Sequence, residues 1–256
     1  MSANRTNTKG KLSRLAAGIV ALGCSFAASA SVIKSDLISI GDSHVQSGSF
    51  ATNNFGGSPQ AFIKRDDNTN WTRKTYLAFD LGALPDGTFV DASLAFEFVD
   101  SGAGSTNAGT SWNFELFGLH DDTWAENSIT WNDAPGNDTS GFGVIGAITT
   151  SLATFSLTGK GLGVQTFDNQ ALLDFLLAHG NNDLLSFILI RTSGVPGSQT
   201  YVHAIATKEN TGDVLLPTLS VSVESVPIPA TAVLLTLGLG GLVLRRRRSS
   251  RPDQLR

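Results

Sequence analysis

Cysteine is almost absent. Among 256 residues only Cys24 carries a thiol, which excludes an intrachain disulfide. Basic charge is scarce where the bulk of the chain lies: residues 31–225 hold 8 Lys and Arg against 21 Asp and Glu, a net charge near −13. The whole-chain value of −4 conceals this, because ten of the eighteen basic residues sit in the two termini. An acidic body of this kind lacks the positive face that nucleic acid requires. The four histidines, His44, His120, His179 and His203, are not spaced as a metal or triad set. No G-x-S-x-G, H-E-x-x-H or other catalytic signature occurs, so the chain is expected to be non-catalytic.

What is present is concentrated first at the ends. Residues 1–14 are basic and free of acid, residues 15–26 are apolar, and Ala28-Ser-Ala30 follows. A basic region, a short apolar core and an A-x-A site predict a secretory signal peptide over residues 1–30, cut after Ala30. The alternative, a lipoprotein acylated at Cys24, has only the poor lipobox Ala21-Leu22-Gly23-Cys24 behind it. Cleavage after Ala30 discards Cys24, so the exported chain must be stabilised by burial, with or without a metal. At the other end, Val226-Pro227-Ile228-Pro229 leads into a charge-free run that stops at Arg245, Arg246, Arg247 and Arg248. Counted from Ile228 the run reaches about 17 residues, the lower limit for a transmembrane helix. The arginines would remain on the cytoplasmic side. The order of these three parts resembles the PEP-CTERM sorting signal of Gram-negative bacteria, with Ile228 where that family usually has Glu. The resemblance implies recognition by an exosortase-type enzyme, removal of the helix, and delivery to the outer envelope or exopolysaccharide after transient membrane anchoring.

Between the two signals, residues 31–225 have the size of one domain. Short runs of alternating apolar and polar residues recur at 36–40, 71–79, 92–98, 112–117, 184–190, 201–206 and 217–223, separated by Gly, Asn, Asp and Ser clusters. This spacing predicts an all-β sandwich. Residues 169–179 are the exception. Leu172, Leu173, Phe175, Leu176 and Leu177 form the apolar face of one short helix on a sheet edge, closed by Gly180.

The stretch Asp121-Asp-Thr-Trp-Ala-Glu-Asn-Ser-Ile-Thr-Trp-Asn-Asp-Ala-Pro135 carries two tryptophans seven apart. It resembles the carbohydrate-binding module family 96 domain, related to the disaggregatase-related (DNRLRE) repeat, whose pattern runs D-x-W-x-E-x-x-I-T-W-N-x-A-P. Further landmarks occur in order: Asp42-Ser-His-Val-Gln-Ser-Gly48, Asn54-Phe-Gly56, Lys74-Thr-Tyr-Leu-Ala-Phe-Asp-Leu81 and Thr207-Lys-Glu209. The likeness spans about residues 36–222. It implies a β-sandwich of jelly-roll type that binds acidic glycans such as alginate.

For glycan contact, the candidates lie on the expected hairpin 62–74: Lys64, Arg65, Trp71, Arg73 and Lys74. The four cations are half of all basic residues in the body. Guanidinium forks match carboxylates, and an indole offers a platform to a sugar ring. Strand neighbours point to opposite faces, so at most one of each adjacent pair serves one surface. Edge charges that merely discourage strand pairing would look the same. Trp124 and Trp131 fit core packing better than ligand contact. Asp66, Asn68 and Asn70, alternating oxygens at the hairpin tip, are candidate calcium ligands, with Asp42, Asp121 and Asp122 as further candidates. Asn and Asp also simply make turns. The functional expectation is an exported, envelope- or matrix-associated protein that binds acidic polysaccharide. A structural surface protein without sugar binding and a polysaccharide lyase or hydrolase are the alternatives.

Overall fold

A computed structural model describes residues 30–66, 70–104, 109–179, 184–194 and 201–225, all within one compact unit, Ala30–Val226. The sorting-signal residues Val226, Pro227, Ile228, Pro229, Arg245, Arg246, Arg247 and Arg248 lie outside the described residues, as do Ala28, Asn68 and Gly180. Among the described residues, no helix is long and apolar enough to cross a membrane.

Eleven strands are described: β1 Val32–Ile38, β2 Gly41–Gln46, β3 Gln60–Ile63, β4 Arg73–Asp80, β5 Thr88–Val99, β6 Ser111–Leu119, β7 Thr149–Thr158, β8 Gly163–Phe167, β9 Leu184–Arg191, β10 His203–Ala206 and β11 Thr218–Glu224. They form two antiparallel sheets. The first runs β1-β11-β5-β10-β3, and the second β2-β4-β9-β6-β7. Strand β5 is the hub of the first sheet. Leu94 and Ala95 pair with both β11 and β8, so these two strands lie on opposite edges of β5. The body closes on itself where Val32 pairs with Glu224 and Ser225 N–H donates to the Ser31 carbonyl at 2.9 Å. Residues 31 and 225 therefore leave the sandwich side by side.

The main core lies between the sheets. Leu77, Phe79, Phe114, Phe187 and Leu189 of the second sheet meet Leu94, Phe96, Phe98, Leu219 and Val221 of the first, all at 1 % exposure or less. Alternation along each strand delivers these residues to one face. Strands β4 and β9, however, are buried on both faces. The outward residues Val45, Tyr76, Ile188 and Ile190 form a second core with Ile129, Trp131 and Ala134. Residues 121–148 thus lie as a cap across the outer face of the second sheet. That explains why Leu184-Leu-Ser-Phe-Ile-Leu-Ile190 reads as a near-continuous apolar run rather than a clean alternation.

The expected helix is present as α1, Gln170–His179. Asn169 caps it, its Oδ1 accepting from Leu172 N–H at 3.0 Å while its Nδ2 donates to the Leu152 carbonyl. Leu172, Phe175 and Leu176 are buried, but Leu177 is 46 % exposed, so the apolar face is narrower than the sequence predicts. Gly118 is matched to this helix: a Cβ there would overlap the Phe175 ring.

Candidate functional site

The expected hairpin is instead a crossing between sheets: β3 belongs to the first sheet and β4 to the second, and the two segments meet through the single bridge Lys64–Arg73. The segment is also less basic on its surface than in its sequence. Lys64 is 3 % exposed, and its ammonium lies 3.7 Å from Asp66 Oδ2. Lys74 is fully buried under the cap. Its Nζ donates to Asn137 Oδ1 at 2.6 Å, to the Asp138 carbonyl at 3.2 Å and to the Gly143 carbonyl at 2.5 Å, and lies 4.5 Å from the centre of the Trp131 ring. Burial pushes its pKa down to about 8, against the pull of Asp138. Both lysines therefore leave the set of groups presented to a ligand. For Lys74 the physical reason is the cap, whose Asn137, Asp138 and Gly143 close over the ammonium.

Arg65 is half-buried; its Nη1 donates to the Thr192 carbonyl and its guanidinium lies 4.5 Å from the Phe142 ring. Arg73 is likewise half-buried, flanked by Gln46 of β2 and by Lys64. Its Nε donates to Gln46 Oε1 at 2.8 Å, and its guanidinium sits 5.7 Å from the Trp71 ring and 5.8 Å from Phe62. Trp71 is 38 % exposed and packs on Phe50 at 5.5 Å. Of the five expected residues, the structure thus brings together the exposed Trp71 and the half-buried Arg73. Of the expected calcium ligands, Asp66 is 1 % exposed and Asn70 is on the surface, while Asn68 lies outside the described residues.

A second concave feature lies on the cap, a groove of about 310 Å³ lined by Asp121, Thr123, Trp124, Ser128, Asp133 and Pro135 among others. Its carboxylates make Asx turns: Asp121 Oδ1 accepts from Thr123 N–H, and Asp133 Oδ1 from Thr130 N–H. Trp124 forms one wall, its Nε1–H donating to Ser186 Oγ at 3.0 Å. Trp131 is buried as a core residue beneath.

Strand β2 carries a third feature. Asp42, His44 and Gln46, at alternate positions, share one face of this edge strand. His44 is 2 % exposed, stacks on Phe55 at 4.3 Å and has no hydrogen-bond partner on either ring nitrogen. Burial, reinforced by Arg73, pushes its pKa down to about 3. His203 is held equally low, by burial and then by Arg191. At the near end of the row, Asp42 Oδ2 accepts from Ser39 Oγ at 2.7 Å and from Lys208 N–H at 2.8 Å. Asp42 N–H in turn donates to Glu126 Oε1 at 3.1 Å. Burial pushes the Asp42 carboxyl up to about 7, although these donors to Oδ2 pull the other way. The Lys208 ammonium joins Glu126 and Glu209. Sequence reasoning missed Glu126 and Glu209 as partners of Asp42. Each sits at a landmark already noted, in D-x-W-x-E and in Thr207-Lys-Glu209, but nothing local shows that the landmarks converge.

Taken as architecture and sites together, this is an all-β sandwich with an aromatic–cation corner and no assembled His or Cys centre among the described residues. Residues 33–152 match the family model of carbohydrate-binding module family 96. The matched segment ends inside β7, yet β9, which lies between β4 and β6, comes from beyond it. The sandwich is therefore completed by residues outside the match. No curated protein matches the chain.

Proposed function

We propose that this is an exported, non-catalytic polysaccharide-binding protein, sorted by its two terminal signals to the outer envelope or the exopolysaccharide matrix. The observation that carries this reading is the match of residues 33–152 to a carbohydrate-binding module on a β-sandwich body, read here as of jelly-roll type. The basic-apolar-(Ala28-Ser-Ala30) order supports export, and the run from Val226 to Arg248 supports a PEP-CTERM-like anchor processed by an exosortase-type enzyme. The sugar contact is assigned to Trp71 with Arg73: the indole stacks a pyranose ring and the guanidinium meets a uronate carboxylate. The cap groove favours a second reading, a neutral sugar against Trp124, since Asp121 and Asp133 would repel a uronate there.

Affinity electrophoresis of the purified protein separates these readings. Retardation in alginate that falls about tenfold in Trp71→Ala and Arg73→Ala, without release of products, supports the acidic-glycan corner. Retardation only in neutral glucans, untouched by these changes, moves the site to the groove. Unretarded migration in every polysaccharide defeats the binding reading, and recovery of intact, uncut chain in the cytosol defeats export.

A further inference from the structure

We propose that Asp42, Glu126 and Glu209 form a divalent-cation site of calcium type, with the Lys208 ammonium as the ion's competitor. The three carboxylates come from β2, the cap and the turn after β10. One oxygen from each lies within 4.8 Å of the other two. An ion with Ca–O distances of about 2.4 Å requires ligand oxygens no farther apart than about twice that length. The site is distinct from the expected set on the hairpin and does not depend on any sugar being bound.

Acidic clusters are common on protein surfaces, and Lys208 alone could neutralise part of this one. Two orphaned atoms set it apart. The Asp42 side chain is 0 % exposed; its Oδ2 is satisfied by Ser39 and Lys208 N–H, but its Oδ1 has no hydrogen-bond donor. The nearest cation, the Lys208 Nζ, stays 4.0 Å from that Oδ1. Glu209 Oε2 is buried and accepts from no N–H or hydroxyl; Asp42 and Glu209 hydrogen-bond each other only through a shared carboxyl proton, which a metal ion would displace. A buried carboxylate oxygen left unpaired is costly, and a metal ion is the partner that satisfies several such atoms at once. The charge count agrees: three carboxylates face one ammonium, and a doubly charged ion balances the remainder. All-oxygen donors with no imidazole or thiolate select calcium over zinc. Glu126, Lys208 and Glu209 are each about a quarter exposed, 23 %, 23 % and 27 %. Water therefore reaches the site to complete a calcium shell, and the lysine has room to swing out.

The ion would join β2, the cap and the β10 turn, so its binding registers as thermal stability. Melting of the purified protein is followed in chelator, in millimolar calcium and in millimolar magnesium, for wild type, Lys208→Met and Asp42→Asn. Calcium titration calorimetry accompanies it. Calcium is expected to raise the melting temperature by about 5 °C or more at saturation, and by a larger step in Lys208→Met, where the competitor is gone. The step disappears in Asp42→Asn, and calorimetry finds one ion per wild-type chain, bound at least about tenfold more weakly in Glu126→Gln. Identical melting in chelator and calcium for both wild type and Lys208→Met would overturn the site. So would a calcium response that survives both Asp42→Asn and Glu126→Gln.

Discussion

Removing the Lys74 ammonium would leave the Asn137 amide oxygen and the Asp138 and Gly143 carbonyls without their shared donor. Asn137 meanwhile holds the Trp131 carbonyl through its Nδ2 at 2.6 Å, so the loss spreads into the indole that roofs the second core. Lys74→Met keeps the stem and deletes the charge. It is expected to destabilise the fold by about 3 kcal/mol, the scale for breaking a buried charged hydrogen-bond set, read from the urea midpoint at constant m. Trp71→Ala, three residues earlier on a partly exposed ring, should cost about 1 kcal/mol or less in the same assay while removing sugar retention. If the two variants exchanged these phenotypes, the assignment of Lys74 to structure and Trp71 to recognition would be reversed. One charge on this segment is therefore buried structural machinery, while its neighbour Arg73 turns to the opposite face, half-buried beside Gln46 and Phe62. The alternation rule anticipates that the two diverge, but it does not say which face is covered.

The cap is the element that decides that question, and it is fastened by a motif. Asn54 Nδ2 donates to the Glu126 carbonyl at 2.7 Å and to the Ile129 carbonyl at 2.9 Å, and its Oδ1 accepts from Gly56 N–H. Gly56 runs so close to the cap that a Cβ would overlap the Glu126 carbonyl oxygen, a backbone atom with little room to yield. Gly56→Ala is therefore expected to lift the cap locally, lowering stability by about 2 kcal/mol and raising hydrogen exchange over residues 126–131 more than in β5. Wild-type exchange in that segment would show that the backbone accommodates the methyl. The same element explains what was legible in the sequence and what was not. Strands with strong alternation, such as β5 and β11, and the helix α1 are visible from period alone. Strand β7 is weaker in the sequence because its outward residues are mostly exposed Thr and Ser, and β8 because it is short and turns the apolar Val164 outward. The burial of Lys74, and the meeting of Asp42 with Glu126 and Glu209, depend on loops folding back across the sheets. Local pattern carries no information on such long-range closure, since residues 42, 126 and 209 belong to separate segments.

At the scale of the whole molecule, stability is set against pH by groups that the sandwich holds in one protonation state. His44 and His203 stay neutral in the folded chain, with pKa values near 3, whereas unfolded histidine takes a proton below about 6.5. Their contribution is present above that value and is lost as pH falls toward 3. Asp42 acts in the opposite sense. Its folded pKa near 7 keeps the carboxyl protonated where the unfolded chain has already ionised above about 4, so this term favours the fold as pH falls from 7. Between roughly pH 5 and 6 the unfolded chain thus holds two extra histidine protons and the folded chain one extra carboxyl proton. The net is one proton, and stability should fall by about 1.4 kcal/mol per pH unit on acidification. The measurement is the urea midpoint in chelator, because a cation on Asp42 would remove the opposing term. His44→Phe isolates the argument: the ring lies between Phe55 and Phe62 and makes no hydrogen bond, so phenylalanine fits the site without leaving a donor behind. That variant should lose most of the acid slope, because one histidine then balances one carboxyl. A slope unchanged in His44→Phe would place the acid sensitivity elsewhere in the molecule and dissociate it from the polar row of β2.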